Sequence, residues 1–197
     1  MSDRRLALFD FDGTVTTHDT LFAWVRHCRG PVWMALGLAW LSPLLVANRV
    51  GLVGGERAKT TLLRLFFGGV PRERLAAWAS SFVDVLDRGV RPAALAKLAW
   101  HRAEGHEVVV VSASLDLWLR PWAERHGLGL LCTEARFVDE RFDGLATPNC
   151  NGPEKERRIR EALRLDEYVF VYAYGDSEGD VEMLALADES HLKPFRD

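Results

Sequence analysis

Three short runs of this chain are apolar at every position: LALF at Leu6–Phe9, VVVV at Val108–Val111 and YVFVYAY at Tyr168–Tyr174. A strand with one face in water alternates apolar and polar residues, so a run without alternation requires cover on both faces. Helical patterns fill the intervals. RERLAAWASSFVDVLDRG places Leu75, Trp78, Phe82, Val85 and Leu86 on one side of a helix. Buried strands separated by helices predict an α/β chain whose parallel sheet carries helices on both faces.

The rest of the chain fits around that sheet. Helices are expected over Asp19–His27, through much of Pro31–Arg102 with breaks near Gly51–Gly55, Gly68–Pro71 and Gly89–Pro92, over Leu115–His126 and over Glu154–Leu165. GLLCTEARFVDERFDGLAT reads as two or three short strands with a turn at Asp139–Arg141, and SHLKPF as a short edge strand. In parallel sheets of this kind ligands sit at the carboxyl ends of the strands. Polar groups gather there. The first run ends in Asp10-Phe-Asp12-Gly13-Thr14, the second in Ser112-Ala113-Ser114, and the last in Gly175-Asp176-Ser-Glu-Gly-Asp180, while Lys155 opens the intervening helix. Clustered carboxylates repel unless a cation joins them, and oxygen donors favour Mg²⁺. A Ser and a Lys beside that cation suit phosphate oxygens. Taken singly, the Asp-Gly pair is a turn, Ser112 and Ser114 are helix caps, Lys155 is a solvated residue, and Asp176 and Asp180 charge a helix start. Their joint placement, each at a strand end or helix start, argues for chemistry.

The stretches FDFDGT at Phe9–Thr14, VVVVSAS at Val108–Ser114, NGPEK at Asn151–Lys155 and YGDSEGD at Tyr174–Asp180 resemble the haloacid dehalogenase superfamily. The similarity is to its subfamily IB, with phosphoserine phosphatase and phosphatidylglycerophosphatase C. SASLDLWLRPWAERHG and NCNGPEK are closer to a less characterised branch than to phosphoserine phosphatase proper. The resemblance implies a Rossmann-like core with an inserted α-helical cap, the core formed by residues 1–18 and 93–197 and the cap by residues 19–92. It implies a Mg²⁺-dependent phosphatase acting through an aspartyl-phosphate. Asp10 would be the nucleophile and Asp12 the acid and base. Asp10, Asp176 and the main-chain carbonyl of Asp12 would hold the metal. Ser112, Lys155 and main-chain N–H groups near Gly13 and Ala113 would hold the phosphoryl oxygens. Asp180 would act behind the metal or orient Lys155, and Thr14 would support the loop.

The about ninety residues between the first two stretches exceed any ordinary connection and would form the cap that selects the substrate. Asp19 stands where phosphoserine phosphatases carry a longer Glu, and Arg57 or Lys59 is a candidate cap cation. Ser112-Ala113-Ser114 replaces Ser-Gly-Gly, and Gly179 replaces an Asn; both weaken a phosphoserine assignment without touching the phosphatase chemistry. A small phosphorylated substrate is the expected partner. A lipid phosphatase of phosphatidylglycerophosphatase C type is the alternative, and a phospho-ligand sensor without catalysis a distant one, disfavoured by the intact Asp12.

A net charge of −3 offers no general attraction to nucleic acid. Three scattered cysteines, Cys28, Cys132 and Cys150, form neither a disulfide framework nor a zinc site, and the start MSDRRLALFD lacks a signal peptide's apolar stretch. A cytoplasmic location is expected. One segment stands apart: Gly30–Asn48 holds 19 residues without a charge, between Arg29 and Arg49, close to the ~20 that span a bilayer. A single crossing would put Asp10 and Ser112 on opposite sides and destroy the site. The expectation is therefore a buried cap helix, with a helical pair turning at Ser42–Pro43 or peripheral membrane contact through residues 30–48 as alternatives.

Overall fold

The computed structural model describes residues 4–196. Its main sheet has five parallel strands in the order β3-β2-β1-β6-β7: β1 (Arg5–Phe9), β2 (Glu107–Leu115), β3 (Gly129–Thr133), β6 (Phe170–Gly175) and β7 (Glu189–Leu192). Strand β1 lies between β2 and β6, with Phe9 opposite both Val110 and Tyr174. The connections therefore run one way from β1 through β2 to β3 and the other way through β6 to β7. Such a reversal opens a crevice at the carboxyl ends of the strands. The apolar runs are the central strands, and their residues alternate between two cores, as strand geometry dictates. Ala7, Phe9, Val108, Val110, Tyr172 and Tyr174 face one core; Leu6, Leu8, Val109, Val111, Val171 and Ala173 face the other with Ile159 and Met183.

Four helices separate β1 from β2: α1 (Thr20–Arg49), α2 (Gly55–Phe67), α3 (Arg72–Gly89) and α4 (Pro92–Ala103). They end near the glycine and proline clusters that mark breaks in the sequence. After β2 comes α5 (Asp116–His126), closed by left-handed Gly127. An antiparallel hairpin, β4 (Ala135–Val138) and β5 (Arg141–Leu145), turns through Asp139 and Glu140 at positive φ and packs on α2. Helix α6 (Pro153–Ala162) precedes β6, and the short α7 (Val181–Leu184) precedes β7.

Helix α1 departs from expectation. It does not turn at Ser42–Pro43 but breaks at Gly30, whose φ of 82° and ψ of 165° lie outside the helical region, with Pro31 starting the second half. Proline suits a first helical position, where no N–H is needed. Burial of residues 30–48 does not occur either: among residues 30–49 only Leu41 is buried. The first half buries Val25 and packs Trp24 against Phe67, Phe82 and Trp118. The second half meets α2, closely enough at Gly37 that an added Cβ would lie 2.3 Å from the Phe66 ring. The rest of the chain covers that half on one side only.

Candidate active site

Main-chain pairing sets the frame. Asp10 N donates to Tyr174 O at 2.9 Å, extending the β1–β6 ladder by one residue. That places the Asp10 carboxylate at the sheet's edge, 6% exposed, while the next residue, Phe11, turns into the core against Trp122. Asp10 Oδ1 accepts from Lys155 Nζ at 2.6 Å; its buried Oδ2 has no partner among the described residues. Burial pushes the Asp10 carboxyl up, to about 7, with Lys155 opposing and Asp180 and Asp12 adding to the rise.

Lys155, on the first turn of α6, is almost fully buried and also donates to Asp180 Oδ1 at 2.6 Å. Burial alone would lower its ammonium; the two carboxylates outweigh that and hold it well above its ordinary value. Asp180 Oδ2 accepts from the N–H groups of Asp176 and Ser177, each at 3.0 Å, and from Ser177 Oγ at 2.9 Å. Burial would raise Asp180, but Lys155 and these donors hold it below the usual carboxylate range. Asp180 thus props Lys155 and the turn that carries Asp176.

Asp10, Asp176 and Asp180 each bring an oxygen within 4.8 Å of the others'. Asp180 is saturated with donors, so the carboxylate oxygens free to bind a cation belong to Asp10 and Asp176. Asp176 is raised by burial, against Arg196, whose guanidinium contacts its Oδ2. Gly13, at φ 85°, leaves the space this carboxylate occupies, since a Cβ there would lie 2.6 Å from Asp176 Oδ2. An orphaned, buried carboxylate oxygen beside a second carboxylate fits a hard divalent cation such as Mg²⁺.

The Asp12 carboxylate is directed elsewhere. Oδ1 accepts from Thr20 N at 2.6 Å and Oδ2 from Ser114 Oγ at 2.5 Å. Ser114 Oγ in turn lies 3.0 Å from Thr20 Oγ1, which accepts from Trp118 Nε1 at 3.1 Å. With Ser114 donating to Asp12, the hydroxyl of Thr20 donates to Ser114, giving a one-way chain of donors from the indole to the carboxylate. Ser114 therefore anchors Asp12 and caps no helix. Ser112, fully buried, accepts from Ser114 N at 3.0 Å. Thr14 Oγ1 is buried without a partner among the described residues.

A pocket of about 320 Å³ opens beside Asp12, bounded by Asp19, Asn48, Lys59, Ala113 and Asn149. Lys59 donates to Asn149 Oδ1 at 2.8 Å and to the Ala113 carbonyl. Burial pushes its ammonium down, to about 8, against the pull of Asp12 and Asp19. Arg57 is exposed and outside this pocket, because two residues along a helix turn it by about 200°. Asp19 caps α1, its Oδ1 accepting from Leu21 N at 2.8 Å. Sequence reasoning missed Asn149 and Asn151. The Asn151 amide fills the space over Gly179, where a Cβ would lie 2.1 Å from its Oδ1. The signal for Asn149 was its place just before NGPEK, too weak to single out.

A family model described as haloacid dehalogenase-like hydrolase matches residues 7–185. The chain is 36% identical over 195 residues to the protein CicA of Caulobacter vibrioides, covering 97% of this chain and 86% of that one. It is 27% identical over 208 residues to 2-hydroxy-3-keto-5-methylthiopentenyl-1-phosphate phosphatase of Bacillus velezensis, covering 99% and 80%. A protein of unknown function from Bordetella pertussis Tohama I superposes with a TM-score of 0.82 at 26% identity, over 96% of this chain and 89% of that one. A substrate-bound phosphoserine phosphatase shares the fold, with a TM-score of 0.68 at 16% identity over 96% and 86%.

Proposed function

Since the chain belongs to the haloacid dehalogenase-like hydrolase family and is a phosphatase, we propose that it hydrolyses a phosphate monoester through an aspartyl-phosphate on Asp10. The observation that carries this reading is the Asp10 carboxylate, buried at the centre of the sheet edge with Lys155 on one oxygen and the other free. In the first step an Asp10 oxygen bonds to phosphorus as the ester P–O bond breaks, and Asp12 gives its proton to the leaving oxygen. In the second, Asp12 takes a proton from water, whose oxygen attacks phosphorus. The P–O bond to Asp10 breaks, releasing inorganic phosphate and restoring the carboxylate.

Ser112, Lys155 and the main-chain N–H groups of Gly13 and Ala113 hold the phosphoryl oxygens in this reading. Mg²⁺, held by Asp10, Asp176 and the Asp12 main chain, would offset the charge between carboxylate and phosphate and favour ionised Asp10. Residues 1–18 and 93–197 make the catalytic core, and residues 19–92 the cap that encloses the ester's organic part against Asp19 and Lys59. The substrate is a small phosphorylated compound of the cytoplasm. A second reading, an ester with an apolar tail, is favoured by one observation: the pocket is walled by Leu21, Phe22 and Leu45 of α1, a helix apolar on its outer side as well.

The test is p-nitrophenyl phosphate hydrolysis. Asp10→Asn abolishes turnover, and EDTA stops it reversibly, with Mg²⁺ restoring the rate. An active Asp10→Asn variant would refute the covalent route, and indifference to EDTA the metal.

A further inference from the structure

Phosphate chemistry leaves the second half of α1 unexplained. It is the one helix among the described residues long and apolar enough to cross a bilayer, and only 6% of its most apolar 18-residue window is buried. Trp33 and Trp40 are each 68% exposed and Leu52 is 80% exposed, with Val32, Leu36 and Val46 also open to solvent. A helix apolar all round belongs in a core or in lipid, and the cap offers a core on one side only. Crossing is ruled out by topology, because β1 and β2 are parallel neighbours and carry Asp10 and Ser112 to the same edge.

We propose that this face docks on an anionic lipid bilayer, with α1 lying in the plane of the interface and Trp33 and Trp40 at headgroup depth. Charge favours this occupant. No Asp or Glu occurs between Asp19 and Glu56, whereas Arg26, Arg29 and Arg49 do, so a cationic segment sits on a chain of net charge −3. Arginines flanking an apolar face draw it to anionic headgroups. A second copy is disfavoured by the same charges, since a two-fold contact along α1 would bring cationic ends together. An apolar groove of about 570 Å³ between α1 and α2, lined by Trp33, Leu36, Trp40 and Phe66 with Arg29 beside them, opens on this face and suits hydrocarbon. Docking is independent of which ester is cleaved.

The experiment is flotation of the full chain with two kinds of vesicle, phosphatidylcholine alone and phosphatidylcholine mixed with phosphatidylglycerol. At low salt the protein floats with the mixed vesicles at least about tenfold better than with the neutral ones. Trp33→Glu combined with Trp40→Glu lowers that partition at least about tenfold, with p-nitrophenyl phosphate turnover unchanged. If that variant misfolds, the unaltered chain still decides, because brominated lipid in the mixed vesicles quenches its tryptophan fluorescence. Absence of flotation, equal flotation of a folded double variant, no quenching, or a dimer by light scattering that ignores vesicles would each overturn the proposal.

Discussion

Asp12 has both oxygens engaged, one by the main chain of Thr20, the first residue of α1, and one by Ser114. The acid–base role proposed for Asp12 needs a fixed direction as well as a proton, and the chain from Trp118 through Thr20 and Ser114 supplies that direction. Ser114→Ala removes the donor to Oδ2, so kcat should fall about tenfold or more with KM little changed, and Ser114→Thr should recover part of it. Unchanged kcat in steady-state assays of Ser114→Ala would show the contact to be idle. The Lys59 ammonium is pushed down to about 8, so the charged fraction falls as pH rises through that value. For an ester bearing a second anionic group, kcat/KM should decline above pH about 8, and Lys59→Arg, charged throughout, should lack that decline. Identical profiles for the two proteins would place the recognition elsewhere. These residues differ in how legible they were. The carboxylates and Lys155 stand at strand ends and a helix start, positions that a pattern of apolar runs locates. The pairing of Ser114 with Asp12 joins residues 102 positions apart, and no local pattern carries it.

Helix α1 shows where an element outruns its sequence. Its boundaries were legible, because Asp19 is a capping residue and the glycines after Arg49 stop a helix. Its environment was not, since the same hydropathy describes a helix in a core and one facing lipid; the outcome depended on how little of the rest of the chain remained to cover it. The break rests on Gly30 and on Pro31 behind it, which keeps the preceding residue out of the helical region. No heavy atom lies within 4 Å of a Cβ built on Gly30, yet its φ is 82°. Gly30→Ala should therefore cost about 1–3 kcal/mol through backbone strain, without a clash against neighbouring residues. Urea unfolding would read this as a lower midpoint at unchanged slope; a midpoint equal to wild type would mean that the break relaxes to a conformation open to alanine, with Pro31 still interrupting the helix. The choice of Lys59 over Arg57 follows from helical phase, which becomes decisive only once the buried face of α2, with Ala58, Leu62 and Leu63, is known.

At the scale of the molecule, the sheet order places β1 between strands whose connections depart in opposite directions. Asp10, Ser112 and Asp176 stand at the strand ends that border this crevice, with Lys155 of α6 on Asp10, and α1 and α2 wall the pocket beside Asp12, Ala113 and Ser114. The same helix carries the pocket wall on one side and the apolar, arginine-flanked face on the other, so substrate access and surface docking share one element. The proposed mechanism requires that Asp10 become phosphorylated. Acid quenching during turnover of a ³²P-labelled monoester, followed by peptide mapping, measures this directly. The prediction is label on the peptide containing Asp10, released by hydroxylamine and absent from Asp10→Asn. Turnover with no label on protein, or label that persists in Asp10→Asn, would contradict it.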